Sequence, residues 1–140
     1  MLYRTKTHSL LKEAGKERVK ATLIFASAKK YKWLNYILEP GFAHVRAVVH
    51  LDGLDVLVDP RVAYTSIHCY PTLGKIEPNE GETLVYVDRL IDIYKMRRVF
   101  GPLNCVETVK GLIGLSKPGI FTPYQLYKEV SHGQHILSKS

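Results

Sequence analysis

Residues 41–60 read GFAHVRAVVHLDGLDVLVDP. After the Pro40–Gly41 break, Ala43, Val45, Ala47, Val49 and Leu51 alternate with His44, Arg46, Val48 and His50. That period of two marks a strand. Asp52–Gly53 is a hairpin turn signal, and LDVLVDP (54–60) reads as the return strand. A turn centred there pairs Leu51 with Leu54 and sets His44 near Arg61. Asp59 then falls diagonally across from His44 on the same face, within reach of a side-chain hydrogen bond. A histidine that opens one strand and a carboxylate on its neighbour supply a base and the group that orients it.

Outward from the hairpin, AYTSIHCY (63–70) and ETLVYVDRLI (82–91) read as two further strands across a loop containing Pro, Gly and Asn. ATLIFAS (21–27) is an apolar run of strand length, and residues 8–20 suggest a short polar helix with Leu10, Leu11 and Ala14 on one side. KYKWLNYIL (30–38) suits a helical turn or two before Pro40. Two helices end the chain. In GPLNCVETVKGL (101–112), Val106, Val109, Leu112 and Ile113 recur at helical spacing, with the helix ending near Gly111 or Gly114. In TPYQLYKEV (122–130), Thr122 caps, Pro123 takes the first helical position and Gln125 completes a capping box. The tail SHGQHILSKS (131–140) is expected to fray. The expected fold class is α+β: an antiparallel sheet of four or five strands, arranged as a β-meander, with helices packed on one face.

The cysteine in GPLNCVETVKGL is the second chemical feature. With Asn104 as N-cap, Cys105 opens the helix, and Glu107 in the first turn suits its dipole. A sulfur facing unpaired backbone N–H groups there is expected to have a lowered pKa and to favour the thiolate. Docked on the sheet end that carries His44 and Asp59, it completes a nucleophile, base and orienter. Each residue also has a plain structural reading: a histidine incidental to a strand start, an aspartate initiating a turn before proline, a cysteine packed in a core. Their conjunction with two turn signals raises the catalytic reading. His50 shares a face with His44 but lies beside the turn. His68 and Cys69 with His132 and His135 make a zinc site on paper only, since nothing fixes His132 and His135 near the others; no metal and no cofactor is expected.

The chain has 140 residues, 46% of them hydrophobic, enough for one domain with a single core. Two cysteines, Cys69 and Cys105, do not make a disulfide framework, so a reducing compartment is the simpler reading. No apolar run approaches the length of a membrane span, and the charged start does not read as a secretory signal. The expectation is a protein of the cytoplasm, or of a particle assembled in one. Lys and Arg number 20 against 13 Asp and Glu, a formal charge of +7. Much of the excess lies in the first 32 residues, where Lys29, Lys30 and Lys32 interleave with aromatic residues in AKKYKW. Such a stretch can attract nucleic acid or another polyanion, or form an ordinary solvated basic face. No RNA-recognition signature, zinc-finger spacing or Gly-rich phosphate loop accompanies it.

The stretches GFAHVRAVV, LVDP, NCVETVKGLIGL and TPYQLYKEV together resemble small phage- and prophage-encoded proteins with a circularly permuted papain-like core. In that group the histidine strand precedes the cysteine helix. Papain-like bacterial cell-wall peptidases and lecithin-retinol-type acyltransferases share the constellation. The resemblance covers roughly residues 41–130, leaving a basic segment (1–40) and a tail (131–140) outside it. It implies Cys105 as nucleophile, His44 as base and Asp59 as the third polar residue. The glutamine that papain keeps shortly before its cysteine is missing; the Cys105 N–H, helped by Asn104 or a tyrosine, is the substitute oxyanion donor. Two functions follow as expectations. One is a thiol hydrolase or acyltransferase acting on a peptide or other acyl substrate. The other is a non-catalytic phage structural or interaction protein of the same fold, binding nucleic acid or a virion protein through its basic surface.

Overall fold

The computed structural model describes residues 16–27, 33–61, 63–72, 74–92, 104–132, 134 and 136–139. Its elements are β1 (Lys16–Ala26), α1 (Leu34–Ile37), β2 (His44–Leu51), β3 (Leu54–Pro60), β4 (Thr65–Pro71), β5 (Thr83–Asp92), α2 (Asn104–Leu112), α3 (Pro123–Val130) and β6 (Ile136–Ser138). All the strands join one antiparallel sheet in the order β4-β3-β2-β1-β5-β6. The fold is therefore α+β, with six strands among the described residues rather than four or five. Among the described residues no helix is long and apolar enough to cross a membrane.

Strand β1 is longer than the sequence reading allowed. Residues 16–20 extend it, where a helix over 8–20 was expected; residues 8–15 lie outside the described part. Lys, Glu and Arg favour helix locally, but Val19, Ala21, Leu23 and Phe25 fall on alternate positions of a strand. Tertiary pairing overrides the weak propensity. β5 takes β1 from Lys16↔Asp92 to Phe25↔Thr83, and β2 takes its other edge from Lys20↔His50 to Ala26↔His44.

The hairpin register is as the turn implied, with Leu51↔Leu54 and Ala47↔Val58. Gly53 sits at φ +73°, the left-handed position such a turn needs. The meander holds only through β4. The chain then returns to place β5 against β1, and residues 74–82 form a strap that crosses the sheet on the way. Ile76 of this strap packs on Ile24, Val48 and Leu84. The tail does not simply fray. Ile136–Ser138 pairs with Thr83–Val85 and covers the start of the β5 edge.

The two sheet faces are unlike. One carries Ala21, Leu23, Phe25, Val45, Ala47, Val85 and Val87 into the main core, and α2 and α3 meet it with Val106, Val109, Leu126 and Val130. Both helices therefore pack on one face. The capping box of α3 is present: Thr122 Oγ1 accepts from the Gln125 N–H, and Gln125 Oε1 accepts from the Thr122 N–H. Lys110, buried in α2, donates to Glu107 and to the Ile120 carbonyl, tying α2 to the loop before α3.

Phe25 is fully buried where β1 meets both helices. Phe25→Ala should lower unfolding free energy by about 3–5 kcal/mol in a denaturant titration. Leu90→Ala, at a site 58% exposed, should change it by no more than about 0.5 kcal/mol.

Candidate active site

The turn Glu39–Pro40–Gly41–Phe42, closed by the Phe42 N–H on the Glu39 carbonyl at 2.9 Å, launches β2. Proline supplies its second position and Gly41, at φ +80°, its third. Phe42 is then clamped by Phe25, Tyr124 and Tyr127, with ring centroids 4.7–5.7 Å apart. The clamp fixes the chain two residues before His44 and docks α3 at that end of the sheet.

His44 and Asp59 meet as the register required. His44 Nε2 and Asp59 Oδ1 are 2.7 Å apart. The other carboxylate oxygen of Asp59 takes two bonds from Arg61, from Nε at 2.9 Å and Nη2 at 2.6 Å. Burial works to raise the pKa of Asp59, but the bond and charge of His44, and then those of Arg61, outweigh it and hold the carboxyl below its ordinary value. An ionised Asp59 only accepts, so Nε2 donates this bond, and in a neutral ring Nδ1 then holds the lone pair.

Beyond Ala47↔Val58 the β2–β3 pairing stops, although β2 runs back to His44 and β3 on to Pro60. The two strands splay. Cys105 of α2 enters this gap from the helix-covered side, and its sulfur lies in hydrogen-bond reach of the N–H groups of Val45, Val106 and Cys105 itself. Val45 directly follows His44, so the thiol sits one peptide unit from the histidine backbone. Strand alternation assigns His44 and Asp59 to the opposite face, with Arg46 and Leu57. The structure thus joins His44 to Asp59 and brings Cys105 beside the His44 main chain, while the thiol's own bonds go to backbone N–H groups.

The expected lowering of the thiol pKa is not found. Burial pushes the Cys105 thiol above its ordinary value, the three N–H groups pull only partly against it, and the charge of Asp59 adds to the rise. Cys105 is 5% exposed. A helix N-terminus acts within one turn, and here desolvation by the surrounding core is larger. At rest the group is a thiol.

Asn104 opens α2 as its first residue, one position further into the helix than the cap expected; its side chain lies outside the described part. Lys29, Lys30 and Lys32 also lie outside it, as does His135. Among the described residues no three His, Cys, Asp or Glu side chains converge on a metal position. His68, on exposed β4, bonds Ser66 at 2.6 Å, and Cys69 is exposed beside it. A second pair was missed: His50 Nδ1 lies 2.9 Å from Asp55 Oδ1 and Nε2 lies 2.7 Å from Thr22 Oγ1. The same register sets His50 opposite Asp55, so the signal was in the hairpin.

Asp59→Asn tests both electrostatic statements. The folded pKa of Asp59 lies below its unfolded value of about 3.9, so its stabilisation is complete at neutral pH and is lost as pH falls through the folded value. The variant should be less stable at pH 7, on the order of 1–3 kcal/mol, and should show a flatter loss of stability below about pH 4. Its Cys105 should alkylate at lower pH than in the parent chain, because one charge opposing the thiolate has gone.

Compared with protein-family models, curated proteins and solved structures, the chain gives no match. The functional reading therefore rests on the geometry of this site.

Proposed function

We propose that the protein is a thiol hydrolase or acyltransferase with Cys105 as nucleophile, His44 as base and Asp59 as its orienter. The observation that carries the reading is the His44–Asp59 hydrogen bond at the splayed strand ends, beside a helix-N-terminal thiol held at the Val45 N–H. With Nε2–H committed to Asp59, the basic nitrogen is Nδ1, the ring nitrogen nearer the main chain. Cys105 comes from the helix-covered face, so for the pair to act Nδ1 must reach the thiol through the gap left where β2 and β3 splay. The reading remains in keeping with a permuted papain-like arrangement, in which the histidine strand precedes the cysteine helix.

The chemistry follows from a resting thiol. On substrate binding His44 Nδ1 takes the Cys105 proton and Sγ attacks the acyl carbon, the catalytic contact tightening only in the complex. The N–H groups that face the sulfur are donors for the developing oxyanion. As the tetrahedral adduct collapses, imidazolium returns the proton to the leaving amine or alkoxide, and a thioester remains. Water gives hydrolysis, and an amine or alcohol gives acyl transfer, with His44 again the base.

Burial of Cys105 favours a second reading, a non-catalytic interaction protein in which the thiol is core packing and the basic segment with Lys29, Lys30 and Lys32 binds a polyanion. A reactive acyl-mimicking electrophile separates the two. For the enzyme, labelling at Cys105 should be lost in Cys105→Ser and fall at least about tenfold in His44→Ala, and the double variant should be little worse than either. Labelling unchanged by His44→Ala removes the catalytic pair. For the polyanion reading, nucleic-acid affinity should fall steeply with salt, and the slope should shrink when the three lysines are replaced.

A further inference from the structure

The helix-free face of the sheet holds a cavity of about 410 Å³. Thr22 of β1, His50 of β2, and Leu84 and Tyr86 of β5 line it on the sheet with Leu137 of β6, and Gly74, Lys75 and Ile76 line it from the strap. Its size is that of a small-molecule site. The polar groups are few and fixed. Asp55, 2% exposed, accepts from His50 Nδ1–H at 2.9 Å, which leaves Nε2 directed at Thr22 Oγ1 at 2.7 Å. Tyr86 stacks on the imidazole at 6.2 Å and holds its plane. Leu84, Ile76 and Leu137 supply apolar wall, and Lys75 brings an ammonium to the exposed strap.

We propose that this cavity binds a small carboxylate with an apolar body, the carboxylate lying between His50 and Lys75 and the body against Leu84, Ile76 and Leu137. In the complex Nε2, across the ring from the Asp55 contact, donates to one carboxylate oxygen. Thr22 Oγ, released from Nε2, donates to the second carboxylate oxygen. The other ionisable groups around the ring are Tyr86 and Asp88 on β5, Lys20 and Arg18 on β1, Tyr70 and His68 on β4, and Lys75 on the strap. Arg18 pairs with Asp88 at 2.8 Å, so that carboxylate on the same face is already matched. An aliphatic alcohol can use the walls but not the charged end at Lys75, and acetate can use the charged end but not the walls.

The site lies about 20 Å along β2 from His44, at about 3.3 Å per residue, so its fate is independent of the thiol chemistry. The test is titration of the full chain with octanoate, octanol and acetate, read by calorimetry and by the His50 ring resonances. Octanoate should bind, move the His50 ring resonances and do so at least about tenfold more tightly than octanol or acetate. Lys75→Met, at an exposed strap position, should weaken octanoate by about fivefold or more and leave octanol unchanged. Cys105→Ser should leave octanoate binding as it is. Octanol binding as tightly as octanoate, or octanoate binding without moving the His50 resonances, overturns the proposal.

Discussion

The pairing of β1 on both of its edges is the constraint from which the rest of the structure follows. Its odd-numbered side chains, Ala21, Leu23 and Phe25, are completely buried under α2 and α3, and its even-numbered ones, Thr22 and Ile24, face the strap. A strand buried on both faces and bonded along both edges has no solvent option left for its backbone groups. β5 must therefore come back to it, and the chain must cross the sheet to get there. That crossing roofs the second face, and the helices, arriving after β5, are left with the first.

The candidate active site belongs to the place where this regularity ends. In a continuous ladder the Val45 N–H would be bonded to a neighbouring strand, and no thiol could reach it. The splay beyond Ala47↔Val58 frees it for Cys105. Two tendencies then oppose one another at the sulfur. Backbone donors at a helix start favour the thiolate, while the core around α2 and the nearby Asp59 favour the thiol. The second tendency wins in the free protein. In the proposed chemistry the proton therefore has to pass to His44 rather than being lost in advance, and the charge of Asp59, which holds that ring, opposes the thiolate.

What the sequence disclosed was what short-range rules can carry. The Asp52–Gly53 turn set the register, and the register alone put Asp59 within reach of His44, a contact realised at 2.7 Å. The Thr122–Gln125 box was equally local. Residues 16–20 were misread because their composition favours helix, and it is chiefly β5, about seventy positions away, that makes them a strand. β6 is three residues whose partner lies over fifty positions earlier. Cys105 shows the same division. Its place at a helix start was legible, and the sign of its pKa shift was not, since desolvation is a property of the whole core.

The hairpin also explains why one short stretch carries two histidine–aspartate pairs with opposite chemistry. His50 and Asp55 are directly opposed in the ladder, and the carboxylate takes Nδ1. His44 and Asp59 are diagonal, at the splayed end, and the carboxylate takes Nε2. A ring held at Nδ1 presents Nε2, the nitrogen farthest from the backbone, and so addresses the space above the sheet. A ring held at Nε2 presents Nδ1, close to its own main chain, and so addresses whatever reaches the strand itself. The first geometry suits a ligand lying in the strap cavity. The second addresses a group that reaches the strand itself, as the Cys105 thiol does at Val45. A one-step difference in cross-strand alignment thus decides which nitrogen is free, and with it which partner each histidine can serve.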